Sequence, residues 1–212
     1  NPDYTFMEAY MKEQEQKLII KYRQYIQDVQ KSCGITHQDR REWKEFYLHD
    51  LFNYKKGNQN NMAEMANGTI PLVSAKNCDN GYKDFVSTER SAKELFPANC
   101  LTINNDGDGG AGISYYQPSK MALDSHVTAL IPKVKMSRYA LKFISSSITR
   151  QREKFGHGYS LNNARLRSFR FILPIDKVGN PDYTYMEQYM RNLEAKQLER
   201  YLKYLERGDL SL

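Results

Sequence analysis

The sequence predicts an α+β protein in which one globular domain of short strands and helices lies between two long helices. The first observation is a repeat: residues 1–11 read NPDYTFMEAYM and residues 180–190 read NPDYTYMEQYM, with nine identical positions at an offset of 179 residues. The second is that short β-rich runs alternate with glycine and asparagine turns between the two copies. A repeat at a domain-sized period indicates the order helix, globular domain, helix.

Both copies carry the signals of a helix start. Thr5 with Glu8, and Thr184 with Glu187, fit a capping box, in which the hydroxyl and the carboxylate satisfy free backbone amides. A heptad that begins at Tyr4 predicts two helices of about 25 residues, each roughly 37 Å long, that pack as an antiparallel coiled-coil pair. The seam of this pair is expected to include Met7, Met11, Leu18, Tyr25, Met186, Met190, Leu193 and Tyr204. Two separate amphipathic surface helices are the alternative. We expect the domain boundaries to be 1–30 for the first helix, 31–178 for the globular domain and 179–212 for the second helix.

Within the globular domain, periodicity and turn residues place each element in order. Residues 43–56 predict a strand and a short helical turn, and residues 137–155 predict a helix because apolar residues recur at helical spacing. The remaining β-rich runs predict strands at residues 69–74, 101–104, 113–117, 126–131 and 168–174. Loops are expected at residues 57–68, 77–81, 106–112 and 156–163.

Composition excludes several classes of protein. No apolar run approaches the roughly 20 residues that cross a bilayer, so no membrane partner is expected. No secretory signal begins the chain, and Cys33, Cys78 and Cys100 are too few and too widely spaced for a disulfide framework or a zinc site. We therefore expect a cytoplasmic protein. Because the chain lacks an initiator Met and opens inside the repeat, we expect a fragment or a trimmed form of a longer protein.

Positive charge is concentrated in one segment. The chain carries a net charge of +6, but residues 133–170 contain ten basic residues and a single acid, Glu153. A basic stripe on an otherwise balanced protein is typical of a protein that binds a polyanion. A solvated basic face without a ligand is the alternative.

Two patterns resemble catalytic or metal motifs. Asp3 with Glu15 and Lys17, repeated at the second copy, matches the PD…ExK string of metal-dependent nucleases. On a helix, however, residues two apart lie about 200° apart, so their side chains cannot converge on a metal. Asn104 and Asp106 begin an EF-hand-like spacing, yet the twelfth position is not the required Glu. We predict no catalytic and no metal-binding residues.

Polar and basic residues that suit duplex DNA fall into three sets. Arg and Lys read guanine and Asn reads adenine in the major groove, while aromatic residues hold sugar and phosphate. The first set follows a predicted strand and comprises Lys76, Asn77 and Asn80. The second surrounds the glycine turn and comprises Asn105, Tyr116 and Lys120. The third comprises Arg150, Arg152, Lys154, His157, Tyr159, Asn162, Asn163 and Arg165.

Four strings in this order resemble the specificity (S) subunits of type I restriction–modification systems and their type II relatives. They are EWKEFYLHDLFNYKKG, IPLVSAKNCDNGYKDFV, LTINNDGDGGAGISYYQPSKMALDSHVTALIPK and REKFGHGYSLNNARLRSFRFILPIDKVGNPDYTYMEQYM. The resemblance implies that a target recognition domain alternates with conserved spacer helices, and that each domain reads half of a bipartite site. It also implies that the subunit has no catalysis and binds no cofactor. By the same resemblance, methyltransferase subunits would bind S-adenosylmethionine. ATP and Mg²⁺ would be bound by partner subunits, which include nuclease subunits.

This chain departs from that pattern because it carries one recognition domain, where a full S subunit carries two. It is therefore expected to be half of a longer subunit or a half-size protein that forms a homodimer. A stand-alone DNA-binding regulator is the second hypothesis, and a nuclease that uses the duplicated PD…ExK string is the third.

Overall fold

The computed structural model describes residues 2–32, 41–60, 65–87, 94–106, 110–155 and 159–208. The chain divides into two compact units, Asn1–Arg40 with Gln188–Leu212, here called the helical unit, and Arg41–Glu187, here called the globular domain. The elements of the chain are α1 (Tyr4–Ser32), β1 (Trp43–Tyr47), α2 (Leu48–Leu51), β2 (Phe52–Lys56), β3 (Asn67–Val73), β4 (Tyr82–Val86), β5 (Cys100–Asn104), β6 (Ser114–Gln117), β7 (Ala122–Leu123), β8 (Val127–Pro132), α3 (Arg138–Thr149), α4 (Asn163–Ser168), β9 (Arg170–Pro174) and α5 (Tyr183–Gly208). Short 3₁₀ turns lie at Asp79–Gly81 and Arg152–Lys154. The predicted α+β class with two long flanking helices is confirmed.

In the helical unit, α1 and α5 pack through one apolar cluster. Its buried or half-buried members are Ile19, Tyr22, Tyr25, Ile26 and Val29 on α1, and Ala195, Leu198 and Leu202 on α5. The Tyr25 hydroxyl donates a hydrogen bond of 2.6 Å to the Glu194 carboxylate. The spacing of three and four residues along both helices is that of a coiled-coil seam.

The predicted seam was wrong except at Tyr25. Of the seam residues that the sequence suggested, Tyr25 lies in the cluster, whereas Met7, Met11 and Leu18 are exposed by 53, 64 and 48%. The packed positions of α1 instead follow Ile19, one residue later than Leu18. Among the α5 candidates, Leu193 and Tyr204 are exposed and Met190 is half-buried. Met186 is fully buried, but it belongs to the globular domain.

An aspartate, and not the predicted threonine, caps each long helix. The Asp3 carboxylate accepts a 2.9 Å hydrogen bond from the Phe6 amide, and Asp182 accepts one of the same length from the Tyr185 amide. Both threonines therefore lie inside the first turn. The capped amides are among those that a helix leaves without an internal partner, so the NPD triplet fixes where each helix begins.

The second copy of the repeat is seated on the globular domain. The Asp182 amide donates to the Pro174 carbonyl at 2.9 Å, and the Asp182 carboxylate pairs with Arg41 at 3.3 Å. The Arg41 guanidinium also lies over the Tyr185 ring, 5.0 Å from its centroid. The equivalent first-copy residues Tyr4, Phe6 and Met7 are exposed by 73, 65 and 53%. Nearly identical sequences therefore have different surroundings.

The described residues of the globular domain form three sheets. Four antiparallel strands lie in the order β2-β8-β5-β6, three in the order β4-β3-β7, and β1 pairs with β9. The antiparallel neighbours β5 and β8 form the middle of the largest sheet, where Leu101, Ile103 and Leu130 are fully buried. Helix α3 contacts β5, β6 and β9 and buries Leu141 and Ile144 completely. None of the helices in the described part of the chain has an apolar stretch of the length needed to cross a membrane.

The strands and helix expected from periodicity are present, but one helix ends earlier than predicted and three elements were not predicted. Helix α3 ends at Thr149 and not at residue 155, because the chain turns there and continues as the 3₁₀ turn Arg152–Lys154. Strands β4 and β7 and the six-residue α4 were not predicted. Helix α4 lies between the predicted loop at 156–163 and the predicted strand at 168–174, and it is too short to show a helical period. Its N-cap is Asn162, whose side chain accepts a hydrogen bond from the Arg165 amide.

Candidate functional site

The glycine turn at residues 110–112 lies between two of the predicted polar sets. A Cβ atom at Gly110 would stand 3.2 Å from the Ala75 carbonyl oxygen, and one at Gly112 would stand 2.7 Å from Phe155 Cδ2 and 3.1 Å from Arg152 Cα. Gly112 also has a φ of +77°, which favours glycine. The turn therefore contacts the segment before Lys76 on one side and the 3₁₀ turn of Arg152 on the other.

The loop that contains Lys76 and Asn80 is tied to the edge strand β6. Asp79 and Asn80 both have positive φ, at 51° and 53°. The Asn80 side chain donates a 3.0 Å hydrogen bond to the Tyr116 carbonyl, and the Gln117 side chain returns one of 3.2 Å to the Asn80 carbonyl. These reciprocal bonds hold the loop against β6 and leave Asn77 exposed.

Tyr115 marks the place where the first and third sets come together. Its hydroxyl donates to the Lys76 carbonyl at 3.4 Å. Burial raises the pKa of Tyr115, with Cys78 and Asp79 acting in the same direction, while the charges of Arg152 and Lys76 oppose the shift. Two cations from segments that are 76 positions apart in sequence thus act on one side chain. The Lys76 ammonium is itself held by Asp79 at 2.9 Å, and this hydrogen bond raises the pKa of Lys76.

An aromatic stack supports the basic segment that follows α3. The Phe155 ring lies 5.7 Å from that of Phe169 and 6.3 Å from that of Tyr159. The Arg165 guanidinium lies over the Tyr159 ring, 3.7 Å from its centroid, and donates a short hydrogen bond to the Ser160 carbonyl. Phe169 is buried, whereas Tyr159 is 52% exposed. The stack therefore joins the buried core at Phe169 to the surface, where Tyr159 supports the positively charged guanidinium of Arg165.

A groove of about 380 Å³ opens beside this stack, and we call it the aromatic groove. Its lining combines aromatic rings with three cations and one acid: Glu45, Gln151, Lys154, Phe155, Tyr159, Arg165, Ser168, Phe169, Arg170, Phe171 and Ile172. The sequence-based selection missed Arg170 and Gln151. Gln151 donates to the Arg170 carbonyl at 2.7 Å, a contact between segments 19 residues apart. Arg170 is the last of the ten basic residues in the segment 133–170, but it lies in a predicted strand and was therefore not selected as a loop residue that could contact DNA.

The predicted site residues differ in how exposed their side chains are and in whether other groups of the chain already bind them. Arg150, Arg152, Lys154 and Asn163 are exposed, as is Lys120 before β7. Asn105 is buried, and its side-chain oxygen accepts a 2.8 Å hydrogen bond from Thr128, so this side chain is engaged inside the domain. Tyr116 is half-buried, and its hydroxyl donates to Asn99. The cap residue Asn162 is exposed but engaged by α4. His157 lies outside the described residues.

The patterns that resembled catalytic motifs have structural roles where the structure describes them. Asp3 and Asp182 are helix caps, and Lys17 pairs with Glu13 at 2.6 Å on α1. Asp106 pairs with His126 at 2.8 Å. Among the described residues, no three His, Cys, Asp or Glu side chains are grouped so that they could hold a metal ion.

The chain combines a domain of short sheets with two long helices that flank it in sequence, and loops of the domain carry basic residues. These features define a class of protein that can be recognised from its sequence. Residues 40–203 match the model of the type I restriction modification DNA specificity domain, and the chain belongs to this family. The resemblance seen in the sequence is thereby confirmed.

One curated relative is the specificity subunit S.BcgI of a type II restriction enzyme from Heyndrickxia coagulans. It is 28% identical over 205 residues, a match that covers 94% of this chain and 57% of the relative. The chain thus spans a little more than half the length of this relative.

Two solved structures share the fold. The S subunit of a type I restriction-modification system from M. genitalium aligns with a TM-score of 0.53 and 16% identity, over 93% of this chain and 54% of that chain. A structure from work on the complex assembly and conformational transition of a type I restriction–modification system aligns with a TM-score of 0.51 and 13% identity, over 97% and 56%. Here too the chain covers about half of its counterpart.

Proposed function

We propose that this chain recognises a specific sequence of duplex DNA as the specificity subunit, or half of one, of a restriction–modification enzyme. The observation that carries the proposal is the junction at the glycine turn. One end of this turn approaches Ala75, which directly precedes the Lys76–Asn80 loop, and the other end approaches Arg152. Next to the turn, the Tyr115 hydroxyl donates to the Lys76 carbonyl. The surface that results combines fixed backbone with exposed cations and amides.

The side chains on this surface suit the recognition of both bases and backbone. Arg152 and Lys154 are exposed cations, and Asn77 and Asn163 are exposed amides. Cations neutralise phosphates, while Arg and Asn form paired hydrogen bonds with guanine and adenine edges in the major groove. Because the loop of Asn77 is pinned to β6, little conformational entropy is lost when it contacts DNA.

The test is a selection of random duplexes by the chain expressed together with the methyltransferase subunit proposed as its partner. We expect a defined set of bound base pairs and an affinity that falls steeply with salt. Arg152→Ala or Asn163→Ala should relax the preference at one position by about 1–3 kcal/mol. Lys203→Ala, which removes a cation that pairs with Glu199 on α5, should leave the preferred sequence unchanged. Salt-insensitive binding, or no preference in the wild type, would reject the proposal.

We also propose that the chain supplies one half of a bipartite specificity and that partner subunits supply the chemistry. The exposed first copy of the repeat supports the first part. Its Tyr4, Phe6 and Met7 are exposed, although their second-copy equivalents are seated on a recognition domain. The chain covers only a little more than half of the length of these relatives, which is consistent with a second recognition domain in a complete subunit. Methylation by S-adenosylmethionine-dependent subunits, and cleavage by ATP- and Mg²⁺-dependent subunits, would then occur on other chains.

The nuclease hypothesis predicts Mg²⁺-dependent cleavage by the isolated chain that Asp3→Ala or Glu15→Ala abolishes. The geometry disfavours it, because the Asp3 carboxylate is engaged as a helix cap and the residues Glu15 and Lys17 lie on opposite sides of α1.

A further inference from the structure

The aromatic groove combines an apolar floor with a charged rim. The half-buried Phe155 ring forms its floor and stacks on the buried Phe169 ring, with centroids 5.7 Å apart. The buried Phe171 ring is tilted against Phe169, with centroids 6.4 Å apart. Its cations are Lys154, Arg165 and Arg170. The acid Glu45 offsets one of them, because it pairs with Arg170 at 3.0 Å. A net positive charge therefore remains at Lys154 and Arg165.

Neighbouring groups already hold the charged ends of these side chains. The Lys154 ammonium donates to the Gln151 side chain at 2.8 Å. The Arg165 guanidinium is stacked on Tyr159 and bonded to the Ser160 carbonyl. A guanidinium has five N–H donors and an ammonium three, so both groups keep donors for an anion after these bonds are made. Since their rotamers are already fixed, an anion that binds here costs less side-chain entropy than one that binds mobile cations.

We propose that the aromatic groove holds one sugar–phosphate unit of the DNA backbone, with the deoxyribose on the aromatic floor and the phosphate between Lys154 and Arg165. This inference rests on the proposed function. It assigns two different roles: Arg152 and the Lys76–Asn80 loop contact bases, whereas the groove, with Lys154 and Arg165, sets the register of the domain on the duplex. Contacts to sugar and phosphate position a protein without reading sequence.

The base alternative fits the groove less well. Discrimination between bases requires donors and acceptors aimed at base edges, and the floor of the groove offers ring faces. Of the polar side chains in its lining, Gln151 is engaged at both ends, since it donates to the Arg170 carbonyl and accepts from Lys154. Ser168 donates back to the Ala164 and Arg165 carbonyls of its own helix.

The experiment measures the salt dependence of binding to the selected duplex, for the same complex with the methyltransferase. The variants are Arg165→Ala and Lys154→Ala. Arg167→Ala is the matched control, because Arg167 is an exposed cation two residues along the same helix that does not line the groove. Each phosphate contact contributes a slope of about 0.9 in log affinity against log salt. The loss caused by Arg165→Ala should therefore be about 3.5-fold larger at about 50 mM than at about 200 mM salt.

Three results support the inference together. Arg165→Ala and Lys154→Ala each lower the slope by about one unit, both keep the preferred sequence, and Arg167→Ala keeps the slope. Arg165→Lys, which retains the charge, should restore most of the slope. An altered base preference in Arg165→Ala, or a slope that stays at the wild-type value, would overturn it. So would an equal loss in Arg167→Ala, since net charge alone would then explain the effect. If the wild type itself shows no preferred duplex, the proposed function fails instead.

Discussion

Gly112 is the residue whose substitution tests the junction most directly. Its φ of +77° costs an alanine about 1–2 kcal/mol in the left-handed region. The added Cβ would also stand 2.7 Å from Phe155 Cδ2 and 3.1 Å from Arg152 Cα, and backbone cannot move away as a flexible side chain can. Overpacking of this kind costs about 1–3 kcal/mol. We therefore expect Gly112→Ala to lower the free energy of unfolding by about 2–5 kcal/mol.

Gly179 provides the matched control. It has a φ of +89°, yet a Cβ there would meet nothing within 4 Å. Gly179→Ala should therefore lose only the conformational part, about 1–2 kcal/mol. Urea unfolding of both variants, followed by far-UV circular dichroism, measures the difference. Equal losses in the two variants would refute the reasoning, because the close approach of the turn to Arg152 and Phe155 would then carry no energy.

Two further predictions concern the repeat and the effect of pH. Met186 is fully buried whereas its first-copy equivalent Met7 is 53% exposed. In thermal or urea unfolding, Met186→Ala should therefore destabilise the chain by about 2–5 kcal/mol and Met7→Ala by less than about 0.5 kcal/mol; similar losses would contradict the different seating of the two copies. The hydrogen bond to Asp106 raises the pKa of His126, with the nearby charges of Asp106 and Asp124 in support. The stability from this pair is therefore fully present below the unfolded-state pKa and is lost as pH rises through the folded-state value. Unfolding measured from about pH 5 to 8 should show that His126→Gln removes this part of the pH dependence, and an unchanged profile would count against it.

The sequence alone predicted the order of the elements but not the details that depend on competing local signals. Thr5 and Asp3 are both favourable capping residues, and the Glu three positions after Thr5 made it the apparent cap. The structure uses Asp3, so the helix begins two residues earlier. The prediction of the seam was wrong for a similar reason. Apolar residues occupy several faces of α1, so the heptad pattern can be aligned with more than one face. Ile19 and Ile26, not Leu18, are the positions that pack.

The candidate site was predicted as separate pieces. Composition identified the basic residues near Arg152 and the amides near Asn77, because both depend on local sequence. Their approach to one turn depends on β6 lying at the edge of the largest sheet beside the Asp79–Gly81 turn, and no local pattern encodes a strand order. The burial of Asn105, which keeps its side chain away from the candidate site, could not be predicted for the same reason. Asn105 directly follows β5 and accepts a hydrogen bond from Thr128 of β8, so it is engaged inside the domain, although asparagine is a residue type that typically reads bases.

Modified bases in genomic DNA provide the most direct test of sequence recognition by this chain. A specificity subunit that contains this chain would be expressed in a host with the methyltransferase subunit proposed as its partner, with and without the domain at residues 41–187. The methylated adenines of the host would then be sequenced. The account predicts a bipartite methylated motif that loses or changes one half when this domain is deleted or exchanged for that of a relative. A motif that is unchanged by the removal of the domain would contradict the account and would favour a stand-alone DNA-binding protein.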